Sequence, residues 1–496
     1  MIHKIIVGLL IICSFQHIVS QKKKEEQPNI IWLMAEDISL DLEVYGMQAV
    51  KTPNLNKMAK DGVLFTNCFV TNPICSPSRS AMLTGTHQVK INAHHHRSNR
   101  EIPLDENFKP FTYWLREAGY TCILGNHGVM NKGRKIDANF KHEPIGPWDG
   151  KTKFGVFDKY DEFKKEDQPF FAQIQLQVTH RGDWWNEVRE KSKHPVDPNK
   201  VVLPEYMADH STIRLDWAKY LDQMEYMDNE VGMIFKELEE KGIADNTIVI
   251  FIGDNGRCNI RGKGYLHDPG LHIPLIVYAP KGLQGTKVRE DVVSATDITA
   301  TVLDFANIEV PKYMTGKPMF NKNFQREYVY GARDLWDEIE EKSRAITSGE
   351  WKYIRNDKPD VPYDAHQAYL EFYRPAVHVM RKLNKEGKLN EKQKFFFNPE
   401  KPAEELYHLS KDPMELTNLA SNPLYADILN KMRKQTLEFD VQMKPVSKLY
   451  EPTIVKGNEV IKWVKANDPE VYKQMLDGVE IGYKKYTKAY KESIKE

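Results

Sequence analysis

Three apolar stretches of this sequence end in residues that can do acid–base or metal chemistry. Residues 30–35 run directly into Glu36-Asp37, residues 171–178 into Thr179-His180, and residues 247–252 into Gly253-Asp254-Asn255. Hard oxygen donors without thiolate pairs or paired-histidine spacing suit Ca²⁺ or Mg²⁺, and Glu36, Asp37, Asp254 and Asn255 can supply such a set. The same residue types also cap helices and fill solvated turns, so taken alone they leave both readings open. A fourth segment carries a cysteine, which taken alone reads as a buried residue before an ordinary capped helix. In Cys75-Ser76-Pro77-Ser78-Arg79, Pro77 suits the first turn of a helix with Ser76 as its cap. Cys75 then sits at the positive end of the helix dipole.

The elements that must position these groups are strands and helices in alternation. Residues 30–35, 171–178, 247–252 and 275–278 are apolar on both faces, as buried parallel strands are. Helical patterns span 54–60, 110–118, 212–240 and 295–306. That alternation predicts an α/β fold, a large mixed, mostly parallel sheet sandwiched by helices. In open sheets of this class ligands bind beyond the carboxyl ends of the strands, where three of the stretches deliver their polar residues. After about residue 320 the pattern changes. Residues 328–331 and 351–354 read as antiparallel strands, and residues 423–496 as a Lys-rich helical tail. The expected organisation is a catalytic domain over 28–320 and a smaller C-terminal α+β subdomain over 321–496.

The 496 residues carry 70 Lys+Arg against 70 Asp+Glu; zero net charge argues against a general nucleic-acid partner. At 41% hydrophobic and 28% charged, the composition fits neither disorder nor a membrane bundle. A lysine followed by a short apolar run in residues 1–20 reads as a secretory signal peptide, too short to span a membrane. Export to the periplasm or medium is expected; lipid anchoring at Cys13 is the rival reading. Cys68, Cys75, Cys122 and Cys258 remain, with spacing that forms neither a disulfide framework nor a zinc site.

Cys-x-Pro-Ser-Arg at 75–79 with Leu83-Thr84-Gly85 resembles the signature of the type I sulfatases, of the alkaline-phosphatase-like superfamily. Pro28-Asn29-Ile30, Tyr45-Gly46, Thr52-Pro53-Asn54-Leu55, Gly253-Asp254-Asn255-Gly256, Lys263, Glu405-Leu406-Tyr407 and Asn418-Leu419 resemble further family boxes, in the family's order. The pattern is most similar to the N-sulfoglucosamine and iduronate group of carbohydrate sulfatases. The resemblance implies that Cys75 is oxidised to formylglycine by a maturation enzyme. Its hydrated aldehyde would attack sulfur through one hydroxyl, and the other would collapse to expel sulfate. It also implies that Arg79 holds the formylglycine, and that Glu36, Asp37, Cys75 as formylglycine, Asp254 and Asn255 bind one Ca²⁺ that acts as Lewis acid and template. Glu36 stands where the commoner motif has Asp. His180 and Lys263 match groups that serve the leaving oxygen and the sulfate. Where many relatives have Gly-Lys-x-His, this chain departs; Lys135, in a Lys-x-Asp variant, is preferred as the second sulfate lysine, with His127 its competitor. The general acid is therefore His180, His127 or a lysine.

Substrate contacts are expected from His94, His95, His96 and Arg97, from His127, and from Arg333 in the C-terminal unit. A surface loop explains residues 94–97 equally well. Trp184 and Trp185 could stack on sugar rings or plug the core. The expected partner is a sulfated carbohydrate, an algal polysaccharide such as ulvan among the candidates. The competing readings are a phosphoester or phosphonate hydrolase on the same scaffold and a catalytically silent glycan-binding protein.

Overall fold

The computed structural model describes residues 27–494, apart from 126, 128–134, 284, 286, 448–449, 453 and 455–456. Residues 1–20 and Cys13 lie outside the described residues.

The strands of the main sheet are β1 (Asn29–Ala35), β2 (Val63–Phe69), β3 (Thr121–Gly125), β6 (Lys159–Asp161), β7 (Phe170–Leu176), β8 (Thr247–Gly253), β9 (His272–Tyr278) and β10 (Val288–Ser294); β4 (Glu143–Ile145) and β5 (Gly155–Phe157) form a separate pair. The sheet order is β10-β2-β9-β8-β1-β7-β3-β6. Among these strands β9 alone runs against the rest. The expectation that residues 275–278 form a parallel strand is thus corrected. A run that is apolar on both faces reports burial between two neighbours, here β8 and β2, and is blind to direction.

Alternate residues of β1 enter opposite cores, Ile31, Leu33 and Ala35 on one face and Ile30, Trp32 and Met34 on the other. The first face is covered by the long helix Ser211–Glu240, through Trp217, Leu221, Met224 and Val231. The second is covered by Phe111–Glu117 and Ala295–Phe305, with the Trp32 ring 5.6 Å from Phe111 and 6.3 Å from Phe171. Burying each such side chain stabilises the fold by ~1.5–3 kcal/mol.

The C-terminal part holds a four-stranded antiparallel sheet, β11 (Val329–Trp336), β12 (Ile339–Thr347), β13 (Trp351–Asn356) and β14 (Glu404–His408). The helix Ala426–Gln442 packs on this sheet. The helices Gly457–Asn467, Pro469–Leu476 and Tyr483–Ser493 follow. Glu405 on β14 ties this sheet to the main one. Its buried carboxylate accepts from Asn356 Nδ2 at 2.8 Å and Tyr407 Oη at 2.5 Å, also from Tyr363 Oη, and faces His267 Nε2 at 3.2 Å. Trp336, at the end of β11, lies on Gly264; a Cβ there would fall 1.9 Å from the ring. Gly264 also has φ +93°, so both space and backbone demand glycine.

Candidate active site

The carboxyl ends of β1, β7 and β8 are neighbours, with Ala35 opposite Leu176 on one side and Gly253 on the other. The next residues in each chain segment therefore meet. Asp254 N–H donates to Ala35 O at 2.9 Å and Ile38 N–H to Asn255 O at 3.0 Å, which extends the β1–β8 pairing into the loops. Asp37 takes a left-handed φ of 53°, a conformation Asp tolerates better than most residues. Its own N–H donates to Asp254 Oδ1 at 3.1 Å.

Cys75 opens the helix Cys75–Thr84, buried along its whole length. Ser76 is not the cap that its position suggests. Ile74 occupies the cap position, and Ser76 Oγ instead bonds His96 Nδ1 at 2.7 Å. Ser78 Oγ donates to Asp254 O at 2.6 Å, and Arg79 Nε to Asp254 Oδ2 at 2.8 Å. The helix N-terminus is thereby pinned to the β8 loop. Lys263 Nζ donates to Asp37 Oδ1 at 2.6 Å, and Asn255 Nδ2 to the same oxygen at 3.0 Å. Lys135 Nζ bonds Glu36 Oε2 and lies 3.7 Å from Asp137; His180 Nε2 is 3.8 Å from the same Glu36 oxygen.

Glu36, Asp37, Cys75, Arg79, Lys135, His180, Asp254, Asn255 and Lys263 thus gather in one place. Glu36, Asp37, Asp254 and Asn255 are fully buried. Burial pushes the Glu36 carboxyl up, against Lys135 and Arg79. Burial also opposes ionisation of Asp37, but Lys263, His180 and Lys135 outweigh it and hold that carboxyl well below the usual range. Burial drives the His180 imidazole well below its ordinary value, so it is neutral. The Cys75 thiol is pushed up to about 11 by burial, which Lys263 only partly offsets. An unmodified thiol here is protonated at neutral pH and is not a thiolate nucleophile.

Three oxygens in this cluster, Glu36 Oε1, Asp37 Oδ2 and Asn255 Oδ1, are shielded from solvent and have no hydrogen-bond partner. Unsatisfied buried oxygens are costly, and an all-oxygen set fits a hard divalent cation. Asp254 differs, since both its carboxylate oxygens already have protein donors. Among the described residues no group of three His, Cys, Asp or Glu side chains is gathered closely enough to be a metal site by itself. A cation held here would need the Asn255 amide oxygen as well.

Cys75 and Lys263 form one end of a cavity of about 320 Å³. His96, Arg97 and His180 line it too, with Trp184, Trp336, Tyr369 and Tyr373 as aromatic walls. Other expected contacts lie elsewhere. His94 faces Asp334 at 4.0 Å and the His95 ring packs tilted against His94 at 4.0 Å; neither lines the cavity. Adjacent residues in an irregular segment point to different sides, which explains why only the second half of 94–97 contributes. His127 turns to Glu237 at 3.2 Å and stacks on Phe163 at 4.6 Å. Arg333 is spent on Glu341 beneath the C-terminal sheet. Trp185 is a core residue, its Nε1 donating to His180 O at 3.0 Å. Sequence reasoning missed Asp337, Glu338 and Gln367, which also line the cavity. An acidic pair shortly after the expected strand at 328–331 was the available signal.

A family model described as Sulfatase matches residues 28–308. The chain is 32% identical over 461 residues to an ulvan-active sulfatase of Formosa agariphila, covering 84% of this chain and 75% of the relative. It is 24% identical to the human N-sulphoglucosamine sulphohydrolase, covering 82% and 88%. A solved 2-O GAG sulfatase superposes with a TM-score of 0.59 at 18% identity, covering 86% of this chain and 95% of that one, a likeness of fold.

Proposed function

Because the chain belongs to the sulfatase family and is a sulfuric ester hydrolase, we propose that it is an exported, formylglycine- and Ca²⁺-dependent enzyme that removes sulfate from a sulfated polysaccharide of the ulvan type. The observation that carries this reading is the trio of buried, unpartnered oxygens on Glu36, Asp37 and Asn255, set beside Cys75 and the ammonium of Lys263. Residues 28–320 form the catalytic domain in this reading, and 321–496 the subdomain that shapes the cavity.

Glu36, Asp37 and Asn255 would hold the cation, with Asp254 completing the acidic side; Ca²⁺ there supplies Lewis-acid polarisation of a sulfate oxygen. Formylglycine derived from Cys75 by the maturation enzyme would supply a hydrated-aldehyde nucleophile. The remaining work belongs to the chain's own side chains. Arg79, fixed through Nε to Asp254, keeps Nη1 and Nη2 without hydrogen-bond partners, with Nη2 4.0 Å from Glu36 Oε1. Lys263 is held firmly protonated by Asp37, and Lys135 is raised by Glu36 despite its burial. These fixed cations favour the charge that builds on the departing oxygen as the S–O bond breaks. His180 lines the same cavity, and its N–H would donate to the leaving oxygen. Trp184 and Tyr369 flank His180, their ring centres 6.2 and 6.1 Å from it, and form platforms for a sugar ring.

Among the described residues no helix is long and apolar enough to cross a membrane. The test is sulfate release by the matured full chain from ulvan and other sulfated polysaccharides, run beside matched phosphate esters and phosphonates. Release of sulfate from carbohydrate with far slower phosphate release is expected. Faster turnover of phosphate or phosphonate esters would overturn the reading.

A further inference from the structure

The cavity carries charges of both signs. Its lining holds Cys75, Lys263, Arg97 and the imidazoles of His96 and His180. The tip of the β11–β12 hairpin presents Asp337 and Glu338 to the same cavity. Both carboxylates are held in place. Asp337 Oδ2 accepts from Gln367 Nε2 at 2.6 Å, and its Oδ1 lies 3.6 Å from His96 Nε2. Glu338 Oε1 accepts from Ala368 N–H at 2.6 Å, and Gly457 packs against the same carboxylate, where a Cβ would come within 2.9 Å of Oε1. Glu338 Oε2 is shielded and has no hydrogen-bond partner.

The tip is also indexed to the catalytic loop. Trp336 seats on Gly264, the residue after Lys263, and His96 N–H donates to Leu335 O at 3.1 Å. The position of the carboxylates relative to Lys263 and His96 is therefore set by packing rather than by flexible side chains. A further cation on the lining, Arg181, is committed elsewhere. The Arg181 guanidinium is buried against Asp216 and over the Trp185 ring.

We propose that Asp337 and Glu338 are specificity residues which admit a singly anionic sugar unit, with its sulfate at the Cys75 end and hydroxyl or amino donors at the hairpin end, and exclude a unit that carries a second anion there. This deepens the proposed function and rests on the Cys75 end being the sulfate site. A hydroxyl or ammonium group at the hairpin end meets the attraction of the two carboxylates and adds a charge-assisted interaction. A uronate carboxylate or second sulfate meets like charge in a partly enclosed, water-poor space, where repulsion is strong.

The experiment uses the full chain carrying Cys75→Ala, so that binding is read without turnover or maturation. Calorimetry is run with monosulfated hexoses, deoxyhexoses and amino sugars, one for each ring position, and with the corresponding monosulfated uronates and disulfated hexoses. The best neutral or amino sugar is expected to bind at least tenfold tighter than the best dianionic one. In the Asp337→Asn/Glu338→Gln variant that ratio falls below about threefold, because the isosteric amides keep the shape and remove the charge. Equal or tighter binding of the dianionic sugars by the parent overturns the inference, as does a ratio unmoved by the double substitution. The single Glu338→Gln variant serves if the double one fails to fold. Failure of every sulfated sugar to bind, with no sulfate release from any carbohydrate by the unsubstituted matured chain, sinks the proposed function and this inference together. Sulfate release with the wrong binding ratio sinks this inference alone.

Discussion

Lys263 Nζ and Asp37 Oδ1 are hydrogen-bonded at 2.6 Å across 226 positions of sequence, with both side chains almost wholly buried. Deleting one partner of such a pair strands a charge in the interior, at a cost of about 3–5 kcal/mol. Lys263→Ala should lower the melting temperature measurably and lower kcat at least ~100-fold. Lys263→Arg should recover most of the stability and little of the rate. Thermal melts beside sulfate-release kinetics check both. A Lys263→Ala protein with parental kcat would remove this lysine from the chemistry.

Cys75→Ala should abolish sulfate release while leaving the melting temperature within the usual range for a conservative core change, about 1 kcal/mol. Mass spectrometry of the tryptic peptide from matured protein should find position 75 lighter than a thiol. A thiol at full mass in fully active protein contradicts the aldehyde.

Stripping divalent cations with a chelator should inactivate the enzyme, and Ca²⁺ should restore it better than Mg²⁺, whose strict octahedral demand fits a fixed oxygen trio less well. Asn255→Ala should raise the Ca²⁺ concentration needed for half-recovery by about tenfold or more. Full activity in chelator, with no metal found by elemental analysis, is the contrary outcome.

His180→Ala should reduce kcat by about 100-fold or more, whereas His127→Ala should leave kcat/KM within about threefold, because His127 is committed to Glu237 and Phe163. The reverse order would move the leaving-group residue to the other imidazole.

Glu405 gives a pH signature of the junction between the sheets. Burial works against its ionisation, but His267, Tyr363 and Tyr407 outweigh it and hold the carboxyl down at about 2, below its ordinary 4.5. A depressed carboxylate contributes stability that is complete above the unfolded value and is lost as pH falls from 4.5 towards about 2. The contribution is ~3 kcal/mol by linkage. Urea midpoints should therefore drop over that window, and Glu405→Gln should flatten the slope while lowering stability at neutral pH. An identical slope in the variant would show that another group controls acid unfolding.

Much of this architecture was readable before any coordinates. Glu36, Asp37, Asp254 and Asn255 follow apolar runs, and the sheet must bring the ends of such runs together, so their convergence follows from topology alone. Lys263 was reachable through its Arg-Gly-Lys-Gly context. The direction of β9 was not, because its apolar residues encode burial on two faces and nothing about polarity. Strands β2 and β10 escaped notice because Val63–Phe69 and Val288–Ser294 mix polar with apolar residues. The split within 94–97 depends on side-chain direction in an irregular segment, which no periodicity reports. Asp337 and Glu338 belong to the site only because Trp336 docks on Gly264, a contact between chain segments more than seventy residues apart in sequence.

The spacing of Asp37 from Asp254 is dictated by the pitch of two neighbouring parallel strands and by one shared carbonyl, Ala35 O. That pitch is a constant of backbone pairing, so the anion-facing half of the cavity behaves as a ruler that no side-chain exchange can rescale. Diversification towards new sugars is then channelled into the hairpin opposite, where a turn can lengthen, shorten or change sign of charge without disturbing the fixed end.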